Sequence, residues 1–187
     1  MPGNMDKYAD LVARTSFRIL CDSSDSEYVT KEVFDALEKT GGKFGDLTPD
    51  EWLLSRSVSL CRKRHRHNLF MSFWGRRPKL FVQAAPKVDD ADDYITTQAW
   101  EIYCRASEQL TMDQRIVYVL RELEELPEEQ VMRITGFWRG AVRLALETAR
   151  KNIKYELSKF GKVAQYDAYI GFLRRVHYIC SLESEIQ

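Results

Sequence analysis

The chain has 187 residues, 44% hydrophobic and 30% charged, with 28 Lys and Arg balancing 28 Asp and Glu. That length allows one ordinary domain or two small ones, and that composition excludes a disordered chain. No apolar run approaches the ~20 residues of a membrane helix, and the opening MPGNMDKYAD does not read as a secretory leader, so a soluble cytoplasmic protein without membrane insertion is expected.

A first helix is expected from Met5 to Cys21. DSSDS then supplies turn and cap side chains to a second helix carrying Val29, Val33, Ala36 and Leu37 on one face, which Thr40-Gly41-Gly42 ends. Thr48-Pro49-Asp50-Glu51 combines a cap, a proline at the first helical position and a glutamate three residues after the cap. It opens a third helix through Trp52, Leu53 and Leu60 into the basic run RKRHRH. Nine basic and no acidic residues lie between Trp52 and Val88, which reads either as a footprint for a phosphate backbone or as a solvated basic face. Residues 1–87 hold 15 Lys and Arg against 11 Asp and Glu, a net +4, while residues 88–187 hold 13 against 17, a net −4.

Phe70, Phe73 and Trp74 can end the third helix, either packed in a core or stacked on unpaired bases. Gly75 and Pro78 argue against its continuation, Leu80 to Val82 can form a short strand, and VDDADD reads as an exposed linker or a helical first turn. A helix from Tyr94 to Gln109 brings Trp100, Ile102 and Tyr103 to a second core.

Residues Thr111 to Leu157 read as a helix-turn-helix. Thr111 and Gln114 form a capping box, Ile116, Leu120 and Leu123 line one face, and Pro127 opens a short helix with Val131 and Ile134. Gly136 stands where a tight interhelical turn needs positive φ, and a long helix then presents Val142, Leu146, Ala149, Ile153 and Leu157 at core spacing. SKFGK stops it. QYDAYIGFLRRVHYICSLESEI forms one more amphipathic helix, with Tyr166, Ile170, Leu173, Val176 and Cys180 along its stripe. That helix covers the core of the preceding domain or serves as a docking or masking element.

Chemistry-bearing clusters are not evident. Cys21, Cys61, Cys104 and Cys180 are scattered without Cys-x-x-Cys spacing and read as buried free thiols, and His65 and His67 diverge on a helix. No catalytic constellation, metal site or cofactor is expected, and the chain does not read as an enzyme.

LRELEELPEEQVMRITGF followed by GAVRLALETARK resembles the C-terminal helix-turn-helix, region 4, of extracytoplasmic-function (ECF) sigma factors. ILCDSSDSEYVTKEVFDAL resembles the helix that docks a sigma factor on core RNA polymerase, and DEWLLSRSVSLCRKRHRH resembles the next helix, which reads the melted promoter. The resemblance spans roughly residues 5–70 and 98–157 and leaves the last 30 unmatched. It implies an all-α fold of two small helical domains joined by a linker: a region 2-like domain at 1–74, a linker at 75–98, a region 4-like domain at 99–157 and a C-terminal helical extension at 158–187. The implied partners are RNA polymerase core, met by Asp25, Glu27 and Lys31, and promoter DNA, met by Arg62, Lys63, Arg64, Arg66, Arg139 and Arg143. An anti-sigma factor is a further implied partner.

Several positions depart from the family pattern. Tyr28 stands where members usually have aspartate, Lys31 where they have glutamine, Ser59 for asparagine and Lys63 for aspartate. With Val142 at the centre of the buried face, about 100° per residue puts Gly140, Leu144, Glu147 and Lys151 on the outward face of the last helix of the motif. Members usually have serine and basic residues near Leu144, Ala145 and Thr148. Leucine offers no hydrogen bond to a base edge and Glu147 repels phosphate, so Leu144 and Glu147 read as a protein-binding face. Two functions follow: a sigma factor directing initiation, or a sigma-derived negative effector that binds an anti-sigma factor, a sigma factor or polymerase.

Overall fold

A computed structural model describes residues 2–73, 93–159 and 166–175. Among the described residues there are eight α-helices, one π-helical turn and no strand. The chain divides into two compact units, one holding residues 2–73 and the other residues 93–159 and 166–175 among those described. The expected strand at Leu80 to Val82, the GRRP break, the acidic tract up to Asp92, Val176 and Cys180 lie outside the described residues.

The first unit contains α1 (Pro2–Leu20), α2 (Ser23–Thr40) and α3 (Pro49–Phe73). Its core joins Val12, Ala13, Phe17 and Ile19 of α1 to Val29 and Val33 of α2 and to Leu53, Leu54, Val58 and Cys61 of α3. Ala36 and Leu37, expected on the same apolar face of α2, are only half-buried. Local chemistry sets the helix ends. The Asp22 carboxylate accepts the Asp25 N–H (2.8 Å) as the N-cap of α2, and Gly41 closes that helix at φ 60°. Thr48 and Glu51 complete a capping box at α3: Thr48 N–H donates to Glu51 Oε2 (3.2 Å) and Glu51 N–H to Thr48 Oγ1 (3.3 Å). Beside it, Phe44 meets Trp52 edge-on at 5.8 Å between ring centres.

The second unit contains α4 (Asp93–Glu108), α5 (Met112–Tyr118), α6 (Glu128–Thr135), α7 (Arg139–Ser158) and α8 (Tyr166–Arg175). Because α4 starts at Asp93, the end of the expected 75–98 linker is helical. The Thr111–Gln114 capping box forms at α5. That helix then loosens into one π-helical turn, Val119–Leu123, of which the apolar spacing carries no sign. Pro127 is the N-cap of α6 rather than its first helical residue: its ψ of 151° is extended, and its carbonyl accepts from Gln130 and Val131 (3.0 and 3.1 Å). Gly136 makes the turn between α6 and α7 at φ 74°.

All five expected core positions of α7 are buried, with Trp100, Ile102 and Tyr103 of α4, Ile116 and Leu120, and Val131 and Ile134 of α6. Tyr103 stacks on Tyr118 at 6.2 Å between ring centres. Helix α8 packs against α4 and the π turn, burying Tyr169, Ile170 and Leu173, and so covers the core of its own unit. It is also tied by polar contacts. Arg174 Nε donates to the carbonyl of Glu122 (2.7 Å), filling an acceptor that the π turn leaves open, and Tyr166 Oη lies 3.2 Å from Tyr118 Oη. No helix among the described residues is long and apolar enough to cross a membrane.

Candidate functional site

Two helix faces collect the residues singled out by the sequence, one in each unit. The first is the outer face of α3. Its buried side is held to α2 by Asp25, which is 5% exposed and accepts from Arg64 Nε and Asn68 Nδ2 (both 2.5 Å). The Arg64 guanidinium also lies 4.8 Å from the centre of the Tyr28 ring, so one arginine spans an ion pair and a cation–π contact. Asp25, expected to meet polymerase, is thus engaged inside the unit, and so is Arg64, expected to meet DNA. The spacing of the acidic residues on α2 could not reveal this, because the partner lies 39 residues away in sequence. Glu27 is half-buried and Lys31 is exposed on α2.

Lys63 and Arg66 point outward, and Arg62 is half-buried. Leu69, Phe70 and Phe73 are 56%, 61% and 86% exposed, so the end of α3 carries aromatic surface directly after its basic run. The two phenylalanines are therefore not part of the first unit's core. Basic groups that hold phosphates, next to aromatic rings that can stack on bases, are the two chemistries of a single-strand nucleic-acid surface.

The second face is that of α6 and α7. Arg139 and Arg143, expected to contact DNA, are turned back onto the first turn of α6. Arg143 is bidentate to Glu128 (Nε–Oε2 3.0 Å, Nη2–Oε1 3.2 Å), and Arg139 reaches Glu128 (3.0 Å) and Glu129 (3.1 Å). The Arg143 hydrogen bond holds the Glu128 carboxyl below its usual range. Arg150 pairs with Glu122, which is almost buried. Exposed pairs of this kind are individually weak, so Arg139 and Arg143 can exchange a carboxylate for a phosphate at small cost.

Leu144 is 67% exposed, and Glu147 and Lys151 are exposed beside it. Sequence spacing therefore placed this outward face correctly. Trp138, which it had not singled out, is 73% exposed and sits against Gly140, where an added Cβ would meet its ring at 1.8 Å. Its ring also lines a shallow groove with Met132, Gly136 and Phe137. The helix therefore presents Leu144 and Glu147 where a base-reading helix presents donors, with Arg139 and Arg143 engaged at the flank.

Elsewhere the chemistry is quiet. Burial raises the Cys61 thiol to about 12, so the sulfur stays protonated. Among the described residues no three His, Cys, Asp or Glu side chains stand together as a metal site would require. Comparison of the chain with protein-family models, with curated proteins and with solved structures gives no match.

Proposed function

We propose that the chain is a divergent ECF sigma-factor-like transcription regulator, which binds RNA polymerase core and promoter DNA without itself being an enzyme. The observation that carries this reading is the pairing of two sequence blocks, in the order seen in such factors, with two matching surfaces. One is a basic and aromatic outer face on α3, and the other is a short helix, glycine turn and long helix at α6–α7. In this reading the first unit is region 2-like: Lys63 and Arg66 hold phosphates, and Phe70 and Phe73 stack on unpaired bases. The second is region 4-like, with Arg139 and Arg143 released from Glu128 and Glu129 to meet the phosphates beside a major groove.

A second reading is favoured by one specific observation, the exposed Leu144 beside the exposed Glu147 on α7. It makes the chain a sigma-derived negative effector that has lost initiation and binds an anti-sigma factor, a sigma factor or polymerase through α7. Capture of core polymerase by the full chain, followed by run-off transcription on genomic fragments, separates the two. Capture with transcripts is the outcome expected of a sigma factor. Capture without transcripts supports the negative effector, and failure to capture polymerase removes the first reading.

A further inference from the structure

We propose that the outward face of α7 is a self-association surface, on which a second copy of this chain packs its own α7 antiparallel. The stripe consists of Leu144, Glu147, Lys151 and Tyr155, with Leu144 67% and Tyr155 63% exposed and both charges exposed between them. At about 100° per residue, Lys151 and Tyr155 lie within about 20° of Leu144, and Glu147 lies about 60° to the side on which Lys151 falls. The four residues thus form one row about 16 Å long. Thr148, in its middle, turns its hydroxyl to the Leu144 carbonyl (2.8 Å), so its polar group is satisfied within the helix.

What selects the occupant is the order of the row: apolar, acid, base, apolar. Read backwards it is apolar, base, acid, apolar. An antiparallel copy related by a two-fold axis at the level of Ala149 therefore sets Glu147 of one chain against Lys151 of the other, twice. The same axis sets each Leu144 against the other chain's Tyr155. A two-fold axis across the helix pair keeps like sides together, so Glu147 and Lys151, on the same side of the stripe, meet without crossing the seam. Phosphate is a poorer occupant of this row, because the exposed Glu147 within it repels a like charge. A row this short buries less than the ~1,200 Å² of stable complexes, so the dimer is reversible and depends on concentration. In it the outward face of α7 is covered, and no duplex can reach that face. The inference rests on the face itself and not on the sigma-like reading: self-association can fail while polymerase and DNA binding persist, and the reverse.

The test is sedimentation equilibrium of the full chain over a wide concentration range, with charge exchange. Wild type should show a monomer–dimer equilibrium. Glu147→Lys and Lys151→Glu should each weaken it by about tenfold or more, because like charges then face each other. Combining both substitutions in one chain should restore the dimer, since the pairs re-form with reversed sign. Mixing the two single variants should give a heterodimer that is stronger than either variant's own association. Circular dichroism keeps the result interpretable, as all the substituted positions are exposed and helicity should not change. A wild type that stays monomeric throughout, single variants that dimerise like wild type, or a double variant and a mixture that both remain monomeric would each overturn the proposal.

Discussion

At residue scale, the most informative group is Asp25. A carboxylate near the start of a polar helix reads equally well as a docking group or a structural one, and its environment decides: it is almost fully buried and accepts from Arg64 and Asn68. Asp25→Ala should lower stability by about 1–3 kcal/mol, because it leaves two half-buried donors without their acceptor. Chemical denaturation of the isolated chain measures this, and an unchanged midpoint would return Asp25 to a docking role. Cys61 makes a second residue-level case. Its thiol is raised from 9.0 to about 12, so the folded chain holds this proton more tightly than the unfolded one. The stability it contributes is fully present below pH 9.0 and is lost as pH rises towards 12. Tyr118, raised above its usual 10.0 chiefly by burial, acts in the same direction. Thermal melting should therefore fall on the alkaline side, with a shallower fall in Cys61→Ala than in wild type. Parallel alkaline limbs would rule the thiol out as a contributor.

At the scale of elements, α8 is an integral part of the second unit. It buries Ile170 and Leu173 against α4 and the π turn, and Arg174 supplies the donor for the Glu122 carbonyl. Leu173 is wholly buried, so Leu173→Ala should cost about 2–5 kcal/mol through reduced burial and the cavity left behind. Truncation after Lys162 should cost more and lower solubility, because it exposes the apolar surface that α8 covers. A truncated chain that melts with wild type would show that α8 is a detachable tail. The π turn and the left-handed Glu125 (φ 55°) that follows it lie where α8 docks, so the connection into α6 depends on α8 as well as on its own residues.

For the whole molecule, charge is the property with functional reach. A chain of zero net charge divides into a basic N-terminal part and an acidic C-terminal part, and among the DNA-expected residues of α3 it is Lys63 and Arg66 that face outward. Neutralising these two together should flatten the salt dependence of single-strand DNA binding by up to about 1.4 in the logarithmic slope, about 0.7 for each phosphate that is no longer neutralised. Arg64→Ala should mainly destabilise the first unit, because its guanidinium serves Asp25 and Tyr28. Salt titration of single-strand binding distinguishes these outcomes: an unchanged slope in the Lys63→Ala, Arg66→Ala variant would take α3 out of the DNA surface.

Features that depend on near neighbours in the chain are written in the sequence. The capping boxes at Thr48 and Thr111, the left-handed glycines at 41 and 136, and the core rows of α4 and α7 need only a few residues and a fixed period, so they are legible without any tertiary contact. The outward position of Leu144 follows from the same period. Which charges are engaged and which are presented is a property of the tertiary structure alone. Asp25 with Arg64, Arg143 with Glu128, and Glu122 with Arg150 join residues 39, 15 and 28 positions apart, and Arg174 reaches the Glu122 carbonyl across 52. Such pairs form only when two helix faces meet, and a linear pattern specifies each face without specifying which one it meets. Hence the helices can be read from the chain, while the chemistry available on their surfaces requires the fold.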